Sequence, residues 1–505
     1  MSVPTAVDEK QAQPPPARPS SRDRWRRWLP GLLPALVMTV IGLIGAGHPV
    51  LSWDEVTTAD VAQRTPAQIW QLVQHVDAVF GPYYLFMHGW TRLAGMTELD
   101  LRLPSIIAMA VAVGLAGELG RRLFTPLVGV LAGLFLCILP NSTRYAAEAR
   151  PYAFTCLLSV LAVLLLLGAT EHASAWRWVA YGSSVVLLGV SHLVALSTLA
   201  AHAVVVAVRH KGPRRVLVPW AVTLAVCAAA LAPVAWLGTR QSDTQLAWVN
   251  PLTLGTLYQA PGDIAGAHRA AWLLLGLALL ARWRPAHPVV AMAVMAVAPP
   301  AAVAVVSVLF HPFWVDRYLL VVLAPAAILA AVAVARTAEW ASRRSRVTTA
   351  LRILAVLVLL AASAYPDQRR VRSATYKAGP DYRGIAALIR HDQQPGDALV
   401  YEPRTRALRA GMDYYLRDDP GRPQDVLMRR SAAQAGQVRA DEYRRDAPAR
   451  LSGERRVWLV VDGRHADPLE RFPALRAVFG THFVRAGYWQ FDRATVALFR
   501  NRTGP

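Results

Sequence analysis

Two carboxylates side by side, Asp54 and Glu55 in "HPVLSWDEVTTAD" (48–60), follow the first long apolar run of the chain almost at once. Ordinary loop solvation accounts for such a pair as readily as catalysis does. A carboxylate anchored one turn beyond a membrane helix, however, sits beside whatever headgroup or lipid-linked substrate occupies that leaflet. A buried or lipid-proximal Asp with a raised pKa can there act as a general base toward a hydroxyl. A third acid, Asp77, lies in "QHVDAVFGPYYLFMHGW" (74–90), where it either shapes the turn into a helix or faces the first pair across a groove.

Cations of matching chemistry recur at similar boundaries. "RYAAEARPYA" (144–153) carries Arg144, Tyr145, Glu148, Arg150 and Tyr152, and "FWVDRYLL" (313–320) carries Asp316, Arg317 and Tyr318. Each arginine has a bland reading, a pair with its neighbouring acid or with lipid phosphate. Each also has a sharper one, because the planar guanidinium fork suits a substrate phosphate. His192 and His311 lie at the same boundary, where a lone histidine is most often a satisfied structural residue; His192 is retained as a substrate-binding candidate. "NST" at Asn141 matches a glycosylation sequon, a short pattern with many chance occurrences.

The elements that must position these residues are membrane spans. Hydrophobic residues make up 54% of the 505, concentrated in blocks of roughly twenty separated by short basic stretches. The blocks fall near 29–47, 103–120, 126–141, 150–168, 177–191, 193–208, 216–237, 270–283, 287–309, 318–335 and 350–365, about eleven spans of a polytopic α-helical membrane protein. "PYYLFMHGWTRLAG" (82–95) is too short to cross and reads as an amphipathic helix on the surface. With an arginine-rich cytoplasmic start, Arg121 and Arg122, "RHKGPRR" (209–215), "ARWRP" (281–285) and "ASRRSR" (341–346) all fall on the cytoplasmic side. The formal net charge of +21 is therefore a topology signal with anionic-lipid contact, not a nucleic-acid surface.

The same orientation puts the first outer loop with its surface helices (48–102), the long loop 238–269 and the tail 367–505 on the outer face of the plasma membrane. Residues 1–28 are rich in proline and charge and read as a disordered cytoplasmic arm, and 29–366 as the membrane module. The tail has no membrane-length apolar run. Helical spacing at 382–391 and strand patterns at 397–402, 456–463, 483–491 and 494–501 predict a small soluble α/β domain. Cys137, Cys156 and Cys227 lie inside apolar blocks, so no disulfide framework or zinc spacing is available.

Taken together, the acidic pair after the first span, "HVDAVFGPYY", "LRLPS" (101–105), "EARPYA" (148–153) and "DRYLL" (316–320) resemble the polytopic glycosyltransferases of the GT-C fold. The likeness covers about residues 29–365 and is strongest to the protein O-mannosyltransferase and aminoarabinose-transferase group, particularly its actinobacterial mannosyltransferase-like members. It implies a sugar, mannose-like, transferred from a polyprenyl-phosphate carrier on the outer face with inversion at the anomeric carbon. The acceptor would be a cell-envelope glycan, lipid or protein. The first-loop aspartate of that group, its proposed general base, maps onto Asp54, its partner acid onto Glu55 and its second acid onto Asp77. Arg150 and Tyr152 would lie near the donor, with Arg317 a further candidate for the carrier phosphate. The lysine often found after the second acid is absent, since Ala78 stands there.

An inverting transfer needs a base for the acceptor hydroxyl and a cation for the departing phosphate. Asp54 with Arg150 or Arg317 could supply both without a metal. Two or three carboxylates could equally hold a divalent cation through oxygen ligands. The competing class is a transporter or flippase of lipid-linked glycans. Coupled transporters carry ionisable residues near mid-membrane, whereas these spans contain almost none: Glu118 lies near a cytoplasmic end, and His202 is the main exception.

Overall fold

The computed structural model describes residues 21–208, 213–342 and 345–502. Most of the arm expected over 1–28 lies outside these residues, as do parts of the basic loops 209–215 and 341–346, and from Ser21 onward the chain is helical. The membrane module comprises α1 (Ser21–Leu43), α2 (Trp53–Gln63), α3 (Pro66–His75), α4 (Gly81–Ala94), α5 (Glu98–Leu123), α6 (Pro126–Ile138), α7 (Pro140–Ala146) and α8 (Tyr152–Glu171). It continues through α9 (Ala175–Ser191), α10 (Leu199–Val208), α11 (Pro213–Gln245), α12 (Leu254–Ala265), α13 (His268–Leu279), α14 (His287–Leu309), α15 (Leu323–Ser342) and α16 (Arg346–Arg370).

Each of the expected spans coincides with helix, but their lengths differ from the expectation. Among the described residues six helices are long and apolar enough to cross a membrane, or seven if α6 and α7, bent by 72° at their break, count as one. The physical reason is local: Pro140 interrupts the α6–α7 run, and a 3-10 stretch at Leu193–Thr198 takes up the start of the block ending in α10. The helix expected to lie on the surface, α4, is not among the candidate spans. Its tyrosines, Met87 and His88 are buried against neighbouring protein, while Leu85, Phe86 and Leu93 stay exposed.

Bundle packing centres on α5, which meets α1, α6 and α8. Small residues allow the close approach: a Cβ on Gly117 would sit 2.0 Å from the Pro30 carbonyl oxygen of α1. By contrast α16 leaves Leu351, Leu354, Val358 and Leu359 exposed, the surface expected of a helix solvated by lipid.

The short helices after α1 start from sequence signals. Ser52 and Glu55 close a capping box on α2, Thr65 and Gln68 one on α3 with Pro66 in its first turn, and Thr97 and Asp100 one on α5. The tail then forms α17 (Tyr382–Asp392), β1 (Ala398–Tyr401), α18 (Ala407–Tyr415), β2 (Gln424–Asp425), β3 (Met428–Arg430), β4 (Asp441–Glu442) and α19 (Ala447–Ser452). It ends with β5 (Arg456–Asp462), α20 (Pro473–His482), β6 (Phe483–Phe491) and β7 (Ala494–Asn501). Strand order in the main sheet is β2-β1-β5-β7-β6, parallel across β2, β1 and β5 and antiparallel from β5 through β7 to β6.

The sheet does not stand apart from the membrane module. Val56, Leu72 and Tyr84 of the first-loop helices share one buried apolar cluster with Tyr382, Met412 and Trp458 of the tail. The domain is therefore seated directly on α2, α3 and α4, the segment that carries the acidic residues.

Candidate active site

Beneath that seat lies a cavity of about 960 Å³, walled by the start of α2, the turn before α4, the breaks around Arg150 and His192, α11, α14, the "FWVDRY" segment and the tail. Asp54 opens onto it from the first turn of α2, where a carboxylate also meets the positive end of the helix dipole. Arg150 Nη2 lies 3.9 Å from Asp54 Oδ1, and Arg317 Nη2 lies 3.9 Å from Asp54 Oδ2. Burial works to raise the Asp54 carboxyl, but Arg150, Arg317 and Arg406 outweigh it and hold it below the usual carboxylate range. This reverses the expectation of a raised pKa, because three cations face the group. A third of the side chain stays accessible, 32%, so a hydroxyl can reach it.

Glu55, its chain neighbour, points the other way. The carboxylate is wholly buried and fully engaged: Arg102 donates through Nε at 2.8 Å and Nη2 at 3.1 Å, Lys377 Nζ at 2.8 Å, and the backbone N–H groups of Ser52 at 2.9 Å and Ala149 at 3.0 Å. Burial raises this carboxyl, and Arg102 and Lys377 overcome it and hold it far below the ordinary range. Glu55 does not line the cavity. The expectation of a catalytic partner acid is corrected: its charge is consumed in fixing backbone.

Asp77 does reach the cavity. It caps the 3-10 turn before α4 with a left-handed backbone, φ 57°, and accepts from the Tyr84 hydroxyl at 2.9 Å, Arg406 Nη2 at 3.0 Å and Gln245 Nε2 at 3.4 Å. Burial and the Asp77 carboxylate push the Tyr84 phenol up, keeping it protonated as a donor. Arg150 ties the two acids together: its guanidinium lies 3.5 Å from the Tyr84 hydroxyl and stacks 4.0 Å over the Phe80 ring.

Of the other expected binding residues, Arg150, Arg317, Tyr318 and His192 line the cavity. The His192 ring packs 4.3 Å from that of Tyr318, and burial with Arg317 and Arg150 pushes its pKa down to about 3, so it meets the cavity as a neutral ring. Tyr152 and Glu148 are not brought to the cavity wall. Tyr152 stands behind His192, ring centroids 6.2 Å apart, and Glu148 is buried with Arg144 Nε at 3.7 Å. Asn141 of the sequon is buried and donates to the carbonyls of Asp263 and Ile264, which leaves it inaccessible to a glycan.

Among the described residues no group of three or more His, Cys, Asp or Glu side chains is placed so that it could hold a metal ion. Asp54, Glu55 and Asp77 each face arginine or lysine, so this donor set does not fit the divalent cation the three carboxylates had left open. A second, largely polar pocket of about 380 Å³ shares Arg317 and Trp248 with the large cavity and adds Asp263, Asp316 and Asp367. Sequence reading missed Gln245, Trp248 and the tail's Arg406 and Arg439 at the large cavity, and Tyr84 behind it, whose hydroxyl donates to Asp77. The aromatic spacing of "GPYY" offered a signal for Tyr84, but nothing local points "EPRTR" toward a membrane pocket.

Residues 82–237 match the family model described as dolichyl-phosphate-mannose-protein mannosyltransferase. That stretch includes Arg150 and His192 and excludes Asp54, Asp77 and Arg317. Among solved structures the chain is similar to ArnT from Cupriavidus metallidurans in the apo state, with TM-score 0.61 at 15% identity over 95% of this chain and 98% of that one. The same protein bound to undecaprenyl phosphate gives 0.57 at 15% identity over 94% and 98%. The apo oligosaccharyltransferase of Archaeoglobus fulgidus gives 0.51 at 11% identity over 94% of this chain and 75% of that one. No curated protein matches the chain. The chain thus has the polytopic GT-C fold expected from its motifs and is related to the mannosyltransferase family through 82–237.

Proposed function

We propose that this protein is a membrane glycosyltransferase that takes a sugar from a polyprenyl-phosphate carrier and passes it, with inversion, to a cell-envelope acceptor on the outer face. One observation carries the reading: an ionised, accessible carboxylate, Asp54, stands between two guanidinium groups at 3.9 Å in a single cavity. Asp54 takes the proton from the acceptor hydroxyl as that oxygen bonds to the anomeric carbon. The bond from that carbon to the phosphate oxygen breaks on the opposite face, and the phosphate departs as polyprenyl phosphate. Arg150 and Arg317 stabilise the charge that develops there. Phe80, Trp248, Phe313 and Val306 give the cavity an apolar wall suited to the first units of a prenyl chain.

The relatives agree with this chemistry. The matching family model is named for a dolichyl-phosphate-mannose donor, which favours a mannose-like sugar, and ArnT was crystallised with undecaprenyl phosphate. The N-terminus would lie in the cytoplasm and the α/β domain outside.

In membranes carrying the full-length protein, Asp54→Asn should stay inserted and lose sugar transfer from a polyprenyl-phosphate donor by a factor of at least ~100. Full activity in that variant would remove Asp54 as the base. Carriage of the lipid across the bilayer without any transfer by the unmutated protein would favour the flippase instead.

A further inference from the structure

The large cavity is not closed by the membrane module alone. Part of its wall, Arg406 with Gln437, Val438 and Arg439, belongs to the tail. Among its described lining residues two carboxylates, Asp54 and Asp77, stand against four guanidinium groups, those of Arg150, Arg317, Arg406 and Arg439. A surplus of two positive charges gathered around one cavity gives it a field that draws in an anion.

The tail's two arginines have donors to spare. Arg406 spends Nη2 on Asp77 at 3.0 Å, while its Nε is buried with no partner among the described residues. Arg439 makes no ion pair among the described residues and is exposed. The backbone that carries each is nonetheless fixed. Arg406 directly precedes α18, which packs on α2. The 437–439 segment leaves a glycine turn, Gly436 at φ 61°, and is fastened to α2 by Arg64, whose Nη1 donates to the Gln437 carbonyl at 2.9 Å and whose Nη2 pairs with Asp60 at 2.6 Å. The helix that carries Asp54 therefore also sets the position of both arginines.

Resting on the carrier-phosphate reading above, we infer that Arg406 and Arg439 are ligands of the donor's phosphate, supplied by the soluble domain to complete a site the membrane module leaves open. Asp77 is then a positioning residue: it holds Arg406 over the cavity in the absence of ligand. Arginine is the fitting residue for this task, since its planar fork can keep one N–H on a carboxylate and offer the others to a phosphate.

The test uses full-length protein in detergent micelles, with undecaprenyl phosphate as probe and undecaprenol, the uncharged alcohol of the same chain, as control. Arg406→Gln should weaken undecaprenyl phosphate binding about tenfold and Arg439→Gln about threefold, with undecaprenol binding unchanged. Arg406→Lys, which keeps the charge and loses the fork, should fall between Arg406→Gln and wild type. Wild-type affinity for undecaprenyl phosphate in both glutamine variants overturns the inference. Should Arg406→Gln fail to fold, Arg439→Gln decides alone, because it breaks no described ion pair. A wild-type protein that binds the phosphate and the alcohol equally well would sink the carrier-phosphate reading itself. A wild-type preference that neither variant diminishes sinks only the role of the soluble domain.

Discussion

Asp54 and Glu55 are neighbours in the chain with opposite fates, and helix geometry separates them. The run Ser52-Trp53-Asp54-Glu55 is a capping box, so Glu55 turns back to the Ser52 N–H and from there meets Arg102 and Lys377, while Asp54 at the preceding position is left to the cavity. Sequence reading took Glu55 as a partner acid rather than as the end of that box, and the cations that bury it were out of reach of any local pattern, because Lys377 lies 322 positions away. Glu55→Ala should strip two buried cations of their partner and cost about 3–5 kcal/mol of stability by denaturant titration. Because the fold holds the Glu55 carboxyl far below its ordinary value, its contribution is complete above the unfolded pKa and is lost as pH falls toward the folded one. Wild-type thermal stability should therefore decline on acidification more steeply than that of Glu55→Gln. Asp54 gives a kinetic counterpart. Its acidity comes from Arg150, Arg317 and Arg406, and a bound phosphate would offset part of that field. The acid limb of kcat, which reports the complex, should then lie at higher pH than the acid limb of kcat/KM, which reports the free enzyme. Coincident limbs would mean that the anion does not bind beside Asp54.

At the scale of elements, the segment between α7 and α8 shows how a short connection is made rigid enough to hold a guanidinium. Ala149 donates its N–H to Glu55 at 3.0 Å, Lys377 Nζ donates to the Ala147 carbonyl, and Ser105 Oγ donates to the Arg150 carbonyl at 3.3 Å. "LRLPS" and "EARPY" are thus two halves of one device: Arg102 secures Glu55 and Ser105 secures Arg150. Burial and the nearby Arg102 push the Lys377 amine down to about 8, against the pull of Glu55, so it is still largely protonated at neutral pH. Lys377→Met should release Ala147 and let Arg150 drift, raising KM for the donor about tenfold while the protein stays in the membrane. An unchanged KM would mean that the loop is held by its other two bonds. Composition revealed where the helices lie, since hydrophobic blocks are local. It could not reveal the break at Pro140 as a 72° bend, nor that the block at 193 begins as a 3-10 stretch, because both are local backbone conformations that hydrophobicity does not report.

For the whole molecule, β1, β5, β6 and β7 of the tail were legible as strand-like runs, but the short β2, β3 and β4 were not, nor was the docking of the sheet. The bond from the Leu51 N–H to the Tyr415 hydroxyl at 3.0 Å spans 364 positions, and no local pattern encodes it. One face of the sheet is self-sufficient: Val400, Leu459 and Phe499 pack with Phe479 of α20. The opposite face, with Trp458 and Val460, joins Leu408 and Met412 of α18 in a cluster that also needs Val56 and Ala59 of α2. Polar ties reinforce it, with Tyr414 donating to the Met96 carbonyl at 2.6 Å and Arg383 pairing with Glu98 at 2.6 Å. Each large apolar side chain covered at this junction contributes about 1.5–3 kcal/mol, so a handful of them rivals the whole stability of a small domain. Residues 367–505 expressed alone should therefore expose an apolar face, bind a hydrophobic dye and unfold at lower temperature than in the intact chain. In the full-length protein the sheet and the first-loop helices should melt in one transition, read by calorimetry in micelles. Two well-separated transitions, with the isolated domain as stable as the attached one, would mean that the junction holds little energy. The arginines the tail lends to the cavity would then have to be placed by Arg64 and Asp77 alone.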